Sequence, residues 1–477
     1  MGKEGTYSAL PVNFPSVELQ TVSKSDGIYV GDADGHDKED LPLILDAGGA
    51  TVRSDQEARK SEGSDVPGAV FNLATSVIGA GIMALPATMR VLGLALGLVC
   101  IALMGALSEL SIELLVRSSV LSRAASYGDA VRSALGLPAR AIAEVCIVVN
   151  NAGILIVYLI IIGDVMSGSP EHVGVLYQWL GDGTWSDRRL IIFITLVIFL
   201  APLCALERID SLSLTSAASV ALAVVFVVVS CIIALIKVAA GSIRTPRMGP
   251  DLSSRAAILD LLVVVPIMTN AYVCHFNVQP IYNELRGRSP AKMNHVSRVT
   301  TVLCVAVYAS TAVSGYLLFG DDTESDVLTN FDKDLGIRFS SALNYIVRVG
   351  YVLHLVLVFP VIHFSLRQTV GVAVFKGKFP QGRGRTLGLT AVLLALIYLG
   401  STMIPNIWVA FKFTGATTGL SLGFIFPSLI ALKLHKQGKA ALKSGEKFFS
   451  WLMLVLAGVA SVIGVAGNIY SIQNKSR

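Results

Sequence analysis

Polar and apolar residues fall along this chain in long blocks, not in the short alternation of a water-soluble fold. Residues 1–65 are polar, acidic and poor in aromatics. Beyond them lie apolar runs near 67–88, 92–115, 141–166, 189–206, 212–238, 257–283, 297–319, 341–364, 386–404, 408–433 and 449–470, eleven in all. A helix needs about 20 apolar residues to cross a bilayer, and within hydrocarbon it satisfies its own backbone groups. The pattern predicts an all-α polytopic membrane protein with eleven transmembrane helices. It divides the chain into a disordered acidic tail (1–65), a membrane domain (66–470) and a short C-terminal tail (471–477).

Two runs are interrupted. The first holds Ser76-Val77-Ile78-Gly79-Ala80-Gly81-Ile82-Met83-Ala84-Leu85-Pro86, where two glycines and a proline weaken helical pairing at mid-membrane depth. The sixth holds Pro266 and Pro280 around a polar centre of Thr269, Asn270, Tyr272 and His275. Proline removes a helical hydrogen bond and crowds the preceding turn. Freed backbone in a membrane is tolerated only against protein or a water-filled cavity, and a polar centre there is expensive unless it lines a site. Close packing of small residues is the alternative reading of the glycines. A five-plus-five inverted repeat puts spans one and six in equivalent positions, as in transporters that bind at the midplane. Half-helix N-termini there suit a carboxylate, and freed carbonyls suit an amine or cation.

Composition agrees. The chain is 53% hydrophobic and only 15% charged, against about 25% charged in soluble proteins. The tail carries 13 acidic and 6 basic residues, so the basic excess belongs to the membrane part. No basic stripe interleaved with aromatics suggests nucleic acid. Basic loops at Arg117–Arg140, Arg286–Lys292, Arg367–Arg385 and Lys433–Lys447, with an acidic 320–340 loop opposite, favour a cytosolic N-terminus. The basic 237–256 loop runs against this. No secretory signal is expected, because the N-terminal stretch is polar and acidic. All six cysteines lie in apolar runs, where a free thiol behaves as a small hydrophobe and no disulfide or metal is expected. In the tail, Glu39-Asp40-Leu41-Pro42-Leu43-Ile44 fits an acidic dileucine signal for a sorting adaptor.

The residues also carry a resemblance. Phe71-Asn72-Leu73 running to Gly79-Ala80-Gly81-Ile82-Met83 resembles the opening of the amino acid/auxin permease family. Span six, with Ala271, Val273, Cys274, His275, Pro280, Ile281, Tyr282, Glu284 and Leu285, is similar to that of animal sodium-coupled neutral amino acid transporters. The segments at 78–88, 316–320, 330–336 and 413–428 resemble plant vacuolar members. The likeness covers about 66–470 and implies the leucine-transporter fold, alternating access and a vacuolar or other endomembrane address. It implies substrate contacts from Ser76, Ile78, Gly79, Ala80, Gly81 and Ile82, and from Asn270, Ala271, Tyr272, Val273 and Cys274. Tyr158 in span three matches a substrate-facing tyrosine of the fold, and Thr414 in span ten is a candidate wall or gate. Of the adjacent Asn150 and Asn151, one is expected in the cavity and the other bonded to a neighbour.

Ionisable groups within spans are functional candidates. His275 is the first choice of proton carrier because imidazole titrates near neutral pH; a structural hydrogen bond is its alternative. Glu109 and Asp164 are further candidates, with interfacial positions as theirs. In the sodium-coupled relatives a span-one asparagine and a span-eight threonine hold the cation. Thr75 stands at the first position, and Val356 and Val358 offer no ligand at the second, so coupling to protons or facilitated movement is expected. Small residues at 79–81 and 271 suggest neutral amino acids. An amino acid sensor on the same body is the alternative; no arrangement for enzyme catalysis, cofactor or filter appears.

Overall fold

The computed structural model describes residues 63–169, 172–181, 183–206, 213–375 and 382–475. The acidic tail and its Glu39–Ile44 motif lie outside the described residues.

Asp65 opens the first helix, α1 (Val66–Val77), accepting from the Gly68 amide at 2.8 Å with Pro67 in the first turn. α1 stops because Ile78 is extended, and α2 (Gly81–Leu92) restarts at an angle of 56°. α3 (Leu94–Leu121), a short α4 (Tyr127–Leu135) and α5 (Leu137–Ser167) follow. α6 (Arg188–Thr195) continues through a π-turn at Leu196–Leu200 into Ala201–Cys204. After α7 (Ser213–Ala239), α8 (Arg255–Tyr272) is capped by Ser254 and ends at an extended Val273. α9 (His275–Glu284) restarts one residue later without a side-chain cap. The remainder is α10 (Pro290–Phe319), α11 (Ser340–Val374), α12 (Arg383–Met403), α13 (Ile407–Thr414) and α14 (Ser444–Lys475), with two π-turns and Phe426–Lys436 continuing α13.

Among the described residues eight helices are long and apolar enough to cross a membrane, or nine with α1 and α2 taken together. The two other expected spans, 189–206 and 257–283, are helical but interrupted where the structure describes them, so length and composition do not number them among the crossings. Large apolar side chains left exposed, such as Val99, Leu103, Ile198, Leu235, Val302 and Val462, give the outer faces the character of a lipid contact. Inside, α10 packs on α1, α2 and α3, while α11 packs on α5 and α7.

The chain opens away from its prolines. Pro86 lies within α2, Pro266 within α8 and Pro280 within α9. Pro86 instead packs on α10, where a β-carbon at Gly315 would stand 2.7 Å from its ring. The openings fall at Ile78–Ala80 and Val273–Cys274, the glycine and polar centres of the two runs.

Candidate substrate site at two facing helix breaks

The breaks touch. A β-carbon on Gly81 would lie 2.8 Å from the Ala271 Cα, so only glycine lets α2 begin this close to the end of α8. Between them the freed carbonyls take phenol partners. The Tyr308 hydroxyl lies 2.6 Å from Val77 O and 2.7 Å from Ala271 O. Its one proton is shared between a carbonyl of each break, which ties both to α10. Tyr351 of α11 donates to Gly79 O at 2.8 Å. Tyr158 faces Gly79 so closely that a β-carbon there would fall 2.1 Å from its hydroxyl.

Polar side chains complete the frame. Asn277 Nδ2 donates to Ser76 Oγ at 2.9 Å, joining α9 to α1. Asn270 Nδ2 donates to Thr414 Oγ1 at 3.2 Å, joining α8 to α13. Its Oδ1 is buried without a partner, an acceptor whose desolvation is not offset. Beside it the π-turn at Gly415–Gly419 meets α8 through glycine alone: a β-carbon on Gly415 would stand 2.2 Å from Pro266 O. Such turns recur at functional sites. Asn150 accepts from Thr418 at 3.1 Å, whereas both side-chain polar atoms of Asn151 are buried and unpartnered.

The structure thus brings together Ser76, Ile78, Gly79, Ala80, Ile82, Tyr158, Asn270, Ala271, Tyr272, Val273, Cys274 and Thr414, all buried, around a half-buried Gly81. Tyr272 turns away to donate to Ile101 O at 3.0 Å, leaving its backbone to the break. A cavity of 10 Å³ touches Val77, Tyr272 and Cys274, room for one water at most. The larger spaces lie elsewhere. One is an apolar cleft of 350 Å³ bounded by Leu103, Met268 and Leu456, another an open vestibule of 740 Å³ around Asp164, His172 and Arg188. Backbone pairs hold the helices that carry the site. Ser64 pairs with the end of α9 through Ser64 N–Glu284 O and Arg286 N–Ser64 O, each 2.9 Å, and the Val327 amide donates to Met83 O of α2 at 3.2 Å.

Of the proton candidates, His275 Nε2 lies 3.1 Å from Ser111 Oγ, at the start of α9. Glu109 pairs with a largely exposed Arg298 at 3.0 Å, and Asp164 with Arg188 at 2.6 Å on the vestibule. The residues that sequence reading missed are Tyr308 and Tyr351, and Asp326 in the loop between α10 and α11. Asp326 reads as one more solvated acid of an acidic loop, yet it is buried beside the end of the site. Burial pushes its carboxyl up to about 7, helped by the charge of Asp164 and opposed by the Leu328 amide and Arg348.

A family described as "Transmembrane amino acid transporter protein" matches residues 62–470. Amino acid transporter AVT6E of Arabidopsis thaliana is 64% identical over 475 residues, 99% of this chain and 96% of that protein. AVT6A of the same plant is 44% identical over 445 residues, 91% and 94% of the two chains. Among solved structures, MhsT in complex with L-phenylalanine superposes with a TM-score of 0.51 at 15% identity, covering 85% of this chain and 99% of that one. The Eremococcus coleocola manganese transporter, bound to an aromatic bis-isothiourea compound, gives 0.54 at 13% identity, covering 85% and 86%. These structural likenesses show the leucine-transporter fold.

Proposed function

The chain belongs to the transmembrane amino acid transporter family, and from that premise we propose that it carries neutral amino acids by alternating access, linked to protons and not to sodium. It is a membrane transporter and not an enzyme. The observation that carries the reading is the meeting of two helix breaks at Gly81 and Ala271, with their carbonyls bridged by Tyr308. Freed amides at the start of α2 and α9 suit the substrate carboxylate, and freed carbonyls at the end of α1 and α8 suit its ammonium. Small residues at 79–81 and 271 leave side-chain room but supply no charge, which favours a neutral side chain.

The case against sodium rests on oxygens already spent. A hard cation needs several ligands to replace its hydration. Thr75 Oγ1 lies 3.1 Å from both Ser216 O and Ser219 Oγ, so the side-chain oxygen of that position is already engaged. Val356 and Val358 are buried and bring no oxygen. We place the protein in the vacuolar or another endomembrane with its tail in the cytosol, eleven spans and a sorting adaptor at Glu39–Ile44, by analogy with the relatives and from the loop charges. Flux of neutral amino acids into proteoliposomes tests the function. Uptake should ignore an imposed sodium gradient at equal pH and respond to a pH gradient. Strong sodium stimulation overturns the coupling, and binding without flux makes the protein a sensor.

A further inference from the structure

Three consecutive carbonyls lie where α1 ends, that of Gly79 also accepting from the Ile82 amide at 3.2 Å. Val77 and Gly79 take the hydroxyls of Tyr308 and Tyr351. The middle one, on Ile78, faces the imidazole of His354. His354 stands one turn beyond Tyr351 on the same face of α11, their rings 4.7 Å apart. It is wholly buried. Its Nδ1 pairs with Ser219 O of α7 at 2.7 Å, and its Nε2 has no hydrogen-bond partner. A carbonyl only accepts, so Nδ1 must donate. A neutral imidazole has one N–H, and spending it on Ser219 leaves a bare lone pair on the other nitrogen. The ring then confronts the Ile78 carbonyl with no donor to offer it. A second proton supplies that donor.

We propose that His354 takes up the transported proton, and that the imidazolium so formed bridges Ser219 of α7 to the Ile78 carbonyl in the substrate-binding break. The assignment rests on the proton-linked reading above and names its residue. Protonation alters one of the carbonyls that would meet the substrate's ammonium, so proton and amino acid act on the same three residues. Release of the proton frees Ile78 again and loosens the break from α7. His275 is also half-partnered, with Nε2 on Ser111 and Nδ1 buried without a partner, but it bonds a serine of α3 and not a carbonyl, and Glu109 and Asp164 are held in ion pairs.

The groups around His354 are uncharged. α7 presents Ser216 and Ser219, and α1 presents Thr75 with the Ile78 backbone. Tyr351 is the ionisable neighbour on its own helix; Tyr158 of α5 and Asp326 of the α10–α11 loop act on Tyr351, which itself acts on Tyr308 of α10. Among the described residues no charged side chain acts on the His354 ring.

The test compares wild type with His354→Gln in proteoliposomes. Gradient-driven uptake is divided by equal-pH exchange in the same protein, so a general loss of activity cancels. One proton per substrate and a pH gradient of about one unit permit about tenfold accumulation. Wild type should accumulate substrate towards that limit, and His354→Gln should show no response to the gradient. An equal response in both proteins overturns the assignment, whereas a wild type indifferent to pH fails the proton-linked reading itself. Should His354→Gln not fold, ¹⁵N-histidine spectra of wild type decide the matter, with His354 identified by its contact with Tyr351. Its protonation should change when substrate is added between about pH 5 and 8; one fixed state throughout that range, with and without substrate, overturns the proposal.

Discussion

A β-carbon on Gly81 would meet the Ala271 Cα at 2.8 Å and its Cβ at 2.9 Å, backbone and a methyl that has nowhere to turn. Gly81→Ala must therefore force α2 and α8 apart. Overpacking of this kind costs about 1–3 kcal/mol; borne by the substrate-bound state, that is a loss of amino acid affinity of about five- to 160-fold. Substrate titration of the purified variant checks this, and unchanged affinity would sink the placement of the site. Gly79 and Gly81 drew notice in the sequence because a second interrupted run stands in the matching place, which helix packing alone does not require. Tyr308 and Tyr351 did not, and His354 was legible only as an ionisable group within a span. A lone aromatic or histidine on a helix that is apolar on every side carries no sign of the direction it points, and only the packing of α10 and α11 on α1 fixes it. Asn151, buried with both polar atoms unpartnered, has no physical account here.

Elements follow the sequence in existence more than in detail. The apolar runs mark the helices, but α11 extends to Val374, well past the expected 364, because a helix does not stop where the hydrocarbon does. Prolines mislead as punctuation: α2 and α8 continue through Pro86 and Pro266, and the openings begin at the extended Ile78, before Pro86, and the extended Val273, after Pro266. The loop after α10 was least legible, since its acids read as solvated until Asp326 is seen buried against the site. Its carboxyl titrates at about 7 when docked and at 3.8 when free. Between those values the docked loop holds more protons than the undocked one, so docking is strongest at the lower pH and weakens as pH rises through about 7. Hydrogen exchange at the Val327 amide, which donates to Met83 O, should lose protection between about pH 4 and 7 beyond the intrinsic rise in rate. Asp326→Asn should flatten that dependence. A wild-type loop equally protected across the range would contradict the assignment.

At the scale of the molecule, two interrupted runs in matching places were the readable sign of the architecture, and the structural likenesses bear that fold out. Periodicity cannot show the meeting of the breaks, because Gly81 and Ala271 are far apart in the chain and become neighbours only when the two halves interlock. Address belongs to the tail. Replacing Leu43 and Ile44 with alanine should redirect the protein from its endomembrane, as seen by imaging a tagged chain; unaltered location would reduce the motif to coincidence.

The second break carries a native thiol, Cys274, which is 1% exposed between α8 and α9. With Cys100, Cys146, Cys204, Cys231 and Cys304 replaced by alanine, Cys274 becomes a reporter of the space where the breaks meet. The decisive measurement is its rate of modification by a small thiol reagent in a transport-competent protein, with and without saturating neutral amino acid. The account predicts that substrate slows the reaction in proportion to its occupancy. Modification at the same rate in both conditions, while transport continues, would place the substrate elsewhere.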